Sequence, residues 1–400
     1  MLRYSFIYMK KYISCLIGLM ILLSVSNLQA QPRIWNLNQI NSAKNTNSEV
    51  VKAVIKEADK HLTTTIATVM DKPLTPASGD KHDYMSMGRY WWPNPDTKDG
   101  LPYIRKDGVS NPEIEKLDRT SLSKMARSVM ILSLAYHLTN NDEYAQKAVE
   151  NLKKWFLDKK TRMNPNMEFG QTIPGRNNGK GRGEGVLDSY SFVEMLDAVE
   201  LLKSSKKFPK EDQTALKDWF SSYLNWMLTS EIGQEEYNAK NNHGTAFDVQ
   251  VVRYALFTEN NEVADKFVKT FPERRIFSQI ETNGAQPLEL QRTKAFGYSV
   301  YNLTHFMDMA FIAKSMNQDI FHAISNDGRS ITKAIEFLLP YLGKSPTEFP
   351  YQQIEEWDKV QIDFCWVLKR VDILMGTDNY KNFYSKYLPD NGKDLNFLIY

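Results

Sequence analysis

Lys240-Asn241-Asn242-His243-Gly244-Thr245-Ala246-Phe247-Asp248 places two amides and an imidazole in consecutive positions and then opens a run with helical spacing. Phe247, Val251, Tyr254 and Ala255 fall on one side of a 3.6-residue period, which predicts an amphipathic helix over 245–257. Gly244 lets the backbone turn tightly just ahead of it. Asn242 and His243 therefore sit at or just before a helix N-terminus. Unpaired N–H groups and the positive end of the helix dipole favour an anion there. An imidazole beside a bound anion is a candidate base. A capped helix with a surface histidine is the plainer reading of the same triplet.

The helical period recurs outward from this stretch, over 50–69, 120–138, 143–157, 186–202 and 211–228 before it, and over 262–270, 296–313, 331–342 and 354–373 after it. No segment alternates over several residues as a strand does. Connections are mostly short, so neighbouring helices are expected to run antiparallel. No repeat or low-complexity linker divides the chain, and the fold class is all-α, in one domain over residues 31–400. Residues 31–45 are polar and are expected to lie extended on the surface.

The formal charge of +2 on 400 residues argues against nucleic acid as the main partner, while a local basic cleft stays open. Arg3, Lys10 and Lys11 precede an apolar run over 16–23, and Ser26-Asn27-Leu28-Gln29-Ala30 leads to a cut before Gln31. Residues 1–30 thus read as a secretory signal, with export to the periplasm as the expectation and no membrane attachment after its removal. Only Cys365 then remains, which excludes an internal disulfide. Flanked by Phe364 and Trp366, it reads as a buried structural residue.

Three long loops, near 73–117, 163–185 and 275–292, have to gather at one end to make a site. The first holds Tyr90-Trp91-Trp92-Pro93-Asn94-Pro95-Asp96, and its proline and glycine density excludes a regular helix. Trp91 and Trp92 beside Arg89 and Arg105 suit a polar ring-shaped ligand, or else they plug the end of the core. The second loop brings Gln171, Arg176, Lys180 and Arg182 near one another, fit to read an acidic polymer or simply a solvated basic loop. Its four glycines between 179 and 185 lack the spacing of a phosphate-binding fingerprint.

Beyond the third loop comes Glu289-Leu290-Gln291-Arg292-Thr293-Lys294-Ala295-Phe296-Gly297-Tyr298. Tyr298, Tyr301 and His305 share a helical face, and Arg292 reaches over the helix start if it precedes it. An amide, an imidazole, a guanidinium and a phenol fit β-elimination from a uronate. Asn242 and Arg292 would neutralise the C5 carboxylate and stabilise the enolate-like intermediate. A base takes the C5 proton and an acid protonates the departing C4 oxygen. His243 and Tyr298 can serve, Tyr298 aided as a base by the charge of Arg292. No cofactor is called for. His82, His243 and His305 lack the spacing of a metal site, and there is no thiolate cluster.

Asn241-Asn242-His243-Gly244, Arg292 with Tyr298, and the 90–96 and 163–176 stretches together resemble the alginate lyase superfamily, in particular its Bacteroidota branch of alginate and glucuronan lyases. The likeness spans most of residues 80–310. It implies a secreted, incomplete α/α toroid of six or seven helical hairpins that cuts 1,4-linked uronans. It implies Asn242 and Arg292 as carboxylate neutralisers, His243 as base or its helper, Tyr298 as acid and also base, and Gln171 as a substrate contact. Arg89, Trp91, Trp92, Arg176, Arg182 and Tyr301 complete the expected binding surface for an acidic polysaccharide. Two departures from the better-known branch bear on which uronan is cut: Gly244 follows the histidine in place of an aromatic residue, and the glutamine motif reads Phe169-Gly170-Gln171. Two rivals remain. A glycoside hydrolase on a similar helical toroid would use a pair among Asp83, Glu168, Glu184 and Glu236. A non-catalytic glycan-binding protein would use none.

Overall fold

The computed structural model describes residues 31–44, 46–388 and 392–400. The expected signal segment, 1–30, lies outside the described residues. The longer helices are α1 (Leu37–Ala43), α2 (Glu49–Thr63), α3 (Asp118–Thr139), α4 (Asp142–Leu152), α5 (Phe192–Leu202), α6 (Lys210–Thr229), α7 (Glu231–Tyr237), α8 (Asn242–Phe257), α9 (Asn261–Phe271), α10 (Ala295–Ser315), α11 (Ile331–Leu338) and α12 (Trp357–Met375).

These helices form two concentric layers, an α/α toroid. In the inner layer α3, α5, α8, α10 and α12 touch one another in that order. On their outer sides α2 and α4 pack on α3, α6 and α9 on α8, and α11 on α10. Composition explains the layering. Outer helix α9 buries Ala264, Phe267, Val268 and Phe271, a single apolar stripe at i, i+3, i+4 and i+7. Inner helix α5 buries every residue except Glu194, and α8 is buried on all sides, polar positions included. A helix packed all round has no solvent face, so its polar side chains must find partners inside.

Asp197 on α5 shows how. It accepts Arg253 Nε from α8 at 3.1 Å and the backbone N–H groups of Arg33, Ile34 and Trp35 at 2.9, 2.7 and 2.9 Å. The segment after residue 31 is therefore anchored rather than laid out on the surface. Ile34, Trp35 and Ile40 are buried, and Asn36 donates its N–H to Ile399 O at 2.7 Å, where a one-turn helix (Asn396–Ile399) meets α1. Cys365 is a buried free thiol, as its neighbours suggest.

The first two of the three long loops carry short strands. β1 (Met85–Met87) pairs in parallel with β4 (Phe169–Thr172), and β2 (Trp91–Trp92) pairs antiparallel with β3 (Ile104–Arg105). The first pairing ties the loops together. The glycines serve that junction: a Cβ on Gly185 would lie 2.4 Å from the carbonyl carbon of Gly170, so backbone meets backbone with no room for a side chain. Among the described residues no helix is long and apolar enough to cross a membrane.

Candidate active site

The site begins at the start of α8. Asn241 caps the helix, its side chain accepting the N–H of His243 at 3.3 Å. Gly244 lies inside the helix and not in a turn. Its purpose is close approach: a Cβ there would stand 2.1 Å from Ala239 O and 2.3 Å from the guanidinium of Arg275. That buried arginine is held by Asp248 and by the carbonyls of Tyr237 and Ala239, so it staples α7 to α8.

Asn242 is fully buried, and both its N–H and its Nδ2 donate to the Glu289 carboxylate at 2.7 Å. Its Oδ1 has no protein partner. The amide expected to meet a substrate carboxylate is thus already committed to an internal one, because Glu289 on the one-turn helix Pro287–Leu290 takes the anion position at this helix end. Burial pushes the Glu289 carboxyl up, more than the hydrogen bonds from Asn242 bring it down. Beside it His243 Nδ1 lies 2.7 Å from Glu236 Oε1 on α7. Burial lowers the imidazole's affinity for a proton, but the Glu236 charge and hydrogen bond outweigh it, and the net direction is upward.

Opposite stands the start of α10. Arg292 precedes the helix and forks onto Asp107 through Nε and Nη2 at 3.1 and 2.7 Å. Nη2 also donates to Tyr298 Oη at 2.8 Å, and the guanidinium sits 3.9 Å from the centre of that ring. Tyr298 Oη lies 2.8 Å from Tyr90 Oη. Burial drives the Tyr298 phenol well above its ordinary value, and Arg292 only partly offsets this. The guanidinium therefore does not make Tyr298 an easily ionised tyrosine in the unliganded protein. The carboxyl of Asp107 behaves conversely: burial raises it, but the hydrogen bonds and charge of Arg292 hold it well below the usual range.

A cavity of about 590 Å³ separates the two helix starts. Arg89, Trp91, Gln171, Arg182 and Tyr301 line it together with Asn242, His243, Arg292 and Tyr298, so parts of all three long loops do gather at one end. Along α10 the wall continues through Thr304 to Asp308, a single helical face. Trp92 and Arg176 are not on the wall. Trp92 donates Nε1 to Val109 O and holds its own loop, and Arg176 stacks 5.1 Å from the centre of Trp91. Gln171 is on the wall but spoken for: Nε2 donates to Glu184 O and Asp188, and Oε1 accepts from Arg182. Its φ of +49° is unusual for a side-chain-bearing residue and falls where the register of β1 and β4 shifts. His305 is fully buried between Tyr190 and Tyr301, its ring centre 4.3 Å from each, and burial lowers its pKa to about 3.

Of the four carboxylates available to a hydrolase, only Glu184 reaches the cavity, paired to Arg182 at 2.6 Å. Glu236 sits behind His243, Glu168 accepts Trp226 Nε1, and Asp83 is held by Asn164 and Asn166. Among the described residues no three His, Cys, Asp or Glu side chains come together as a metal site. Tyr90, Asp107 and Glu289 are the partners that sequence reasoning misses, and Glu236, named there only as a hydrolase candidate, turns out to be the partner of His243. Tyr90 and Glu289 stand inside stretches picked out above, but nothing in their spacing says what they touch.

The family model of alginate lyases matches residues 68–349. A crystal structure of an alginate lyase from Bacteroides ovatus is 49% identical, superimposes with a TM-score of 0.90, and is matched over 92% of this chain and 99% of that one. Alginate lyase A1-III from Sphingomonas species A1 shares the fold at 14% identity, with a TM-score of 0.55 over 90% of this chain and 98% of that one. A comparison with curated proteins returns no match. The toroid, the cavity between two helix starts and these matches converge: the chain belongs to the alginate lyase family and is a polysaccharide lyase.

Proposed function

We propose that this lyase cuts 1,4-linked uronans, alginate first and glucuronan as a second candidate, by β-elimination in the cavity between α8 and α10. The observation that carries the reading is the contact of Arg292 with Tyr298 at 2.8 Å, facing Asn242 and His243 across the cavity. A uronate placed there has its C5 carboxylate met by His243 and Arg292, which stabilises charge as the C5 proton leaves. Asn242 joins only by turning its amide away from Glu289. Tyr298, kept as a neutral phenol by burial, is suited to protonate the departing C4 oxygen. On substrates whose C5 proton and C4 oxygen lie on one side of the ring, Tyr298 enters the step as the phenolate, its own proton released to solvent once substrate is bound and the adjacent guanidinium stabilising the charge; it then takes the C5 proton and passes it to the C4 oxygen. Where they lie on opposite sides, His243 is the base. Arg89, Trp91, Arg182 and Tyr301 hold neighbouring sugars. Residues 1–30 direct the protein to the periplasm in this proposal.

The test is digestion of purified polymannuronate, polyguluronate and glucuronan, followed by ultraviolet absorbance and product sizing. Elimination leaves a C4–C5 double bond that absorbs. New reducing ends without that absorbance would mark a hydrolase, and tight binding of uncut polymer a glycan-binding protein.

A further inference from the structure

Glu236 is almost wholly enclosed, with 2% of its side chain exposed, and is not on the cavity wall. His243 is on that wall and turns Nδ1 inward to Glu236. An ionised carboxylate only accepts hydrogen bonds, so Nδ1 carries the proton whichever form the ring takes. Nε2 has no hydrogen bond among the described residues and is not among the enclosed unpaired nitrogens, which leaves it as the ring atom open to the cavity. We infer that Glu236 is the positioning residue for His243: it aims Nε2 at the substrate and, for same-side substrates, keeps the ring charged, so that there His243 acts as a cationic partner of the substrate carboxylate. This rests on the uronan reading above.

The surroundings support the charged form. Three carboxylates face the ring: Glu236 from α7, Glu184 from the 183–191 turn and Glu289 from its one-turn helix. Glu184 is paired with Arg182, and Glu289 is held by Asn242, which leaves Glu236 as the group in direct contact. From α10 the nearby His305 is neutral, because burial holds its pKa near 3, and so offers no repulsion. A neutral base would gain the same orientation from Glu236, and its imidazolium the same stabilisation, but a raised pKa leaves less of the ring neutral before substrate binds. Proton transfer on same-side substrates is then left to Tyr298.

Glu236→Gln separates orientation from charge, since its amide oxygen still accepts from Nδ1–H. Two measurements on the full chain decide the matter. The first is an NMR titration of the His243 ring without substrate, assigned by the signal lost in His243→Asn. An opposite charge in contact raises a midpoint by roughly one to three pH units, so Glu236→Gln should lower it by about one unit or more. Glu236→Asp keeps the charge and should return most of that shift, which covers the case in which the glutamine variant folds poorly. The second is the pH profile of kcat/KM on a same-side substrate. A charged His243 is present below its raised pKa and lost as pH rises through it. The alkaline fall in activity should therefore come about one unit earlier in Glu236→Gln. An unmoved NMR midpoint would overturn the inference, as would higher activity of Glu236→Gln at low pH, the mark of a neutral base. If wild type shows no lyase activity, the proposed function fails, while the substrate-free titration still decides whether Glu236 sets the charge.

Discussion

The starts of α8 and α10 face each other across one cavity and are built differently. At α8 the supports are internal: Glu289 behind Asn242, Glu236 behind His243, and the Arg275–Asp248 staple beneath Gly244, all at buried positions. At α10 the supports come from a loop. Asp107 holds Arg292 and Tyr90 touches Tyr298, and both belong to the long 73–117 segment. One side is fixed by packing of the inner helices, the other is completed when a loop is in place. Tyr298 and Arg292 thus depend on the more exposed support, and Asn242 and His243 depend on the core.

This contrast can be broken in order of effect. Tyr298→Phe keeps the ring under Arg292 but removes the transferable proton, and turnover should fall about 10²–10⁴-fold with unfolding unchanged. Turnover above about a tenth of wild type would move the acid to another group, Tyr301 first. On the α8 side the main loss should be in stability. Asp248→Ala leaves the buried Arg275 charge unpaired and should cost about 3–5 kcal/mol in urea unfolding. A near-neutral result would mean that the staple is not what holds α7 to α8.

Gly244→Ala tests the same side more gently. The added methyl meets Ala239 O at 2.1 Å before relaxation, so overpacking should cost about 1–3 kcal/mol. Almost no change would mean that α8 gives way to the methyl group without loss, since alanine by itself suits a helix interior. The smallest effect belongs to the loop side. The Asp107 carboxyl is depressed in the fold, so its contribution is present above the ordinary value of 3.8 and is lost as pH falls below it. Asp107→Asn should therefore flatten the acid decline of thermal stability below that pH. Parallel wild-type and variant curves would show that the Arg292 pair adds nothing to folding.

Several elements of the site are legible without coordinates. The common face of Tyr298 and Tyr301 follows from their spacing, and Arg292 is close enough in sequence to reach back over the helix start. Packing gives other residues partners that the sequence does not announce. Trp92 has the composition of a sugar platform, yet β2 turns it to its own loop, because successive strand residues point to opposite faces and Trp91 has the cavity side. Gln171 has the chemistry of a substrate contact, but Asp188 and Arg182 claim its amide. Burial also reverses the expected effect of Arg292 on Tyr298, since desolvation depends on how much protein surrounds the phenol and not on the neighbours in sequence.

The sequence by itself determined the helical class, a helix start close to Asn242 and His243, and the identity of the groups that can carry charge and protons. These follow from local rules: the period of apolar positions, the chemistry of caps and the types of side chain present. Only the tertiary structure decided the partners. Asn242 meets Glu289 across 47 positions, Arg292 meets Asp107 across 185, and Tyr298 meets Tyr90 across 208. Periodicity states which face of a helix is buried but not which distant side chain completes it. That choice arises when the inner helices close around the cavity and each enclosed polar group must be satisfied.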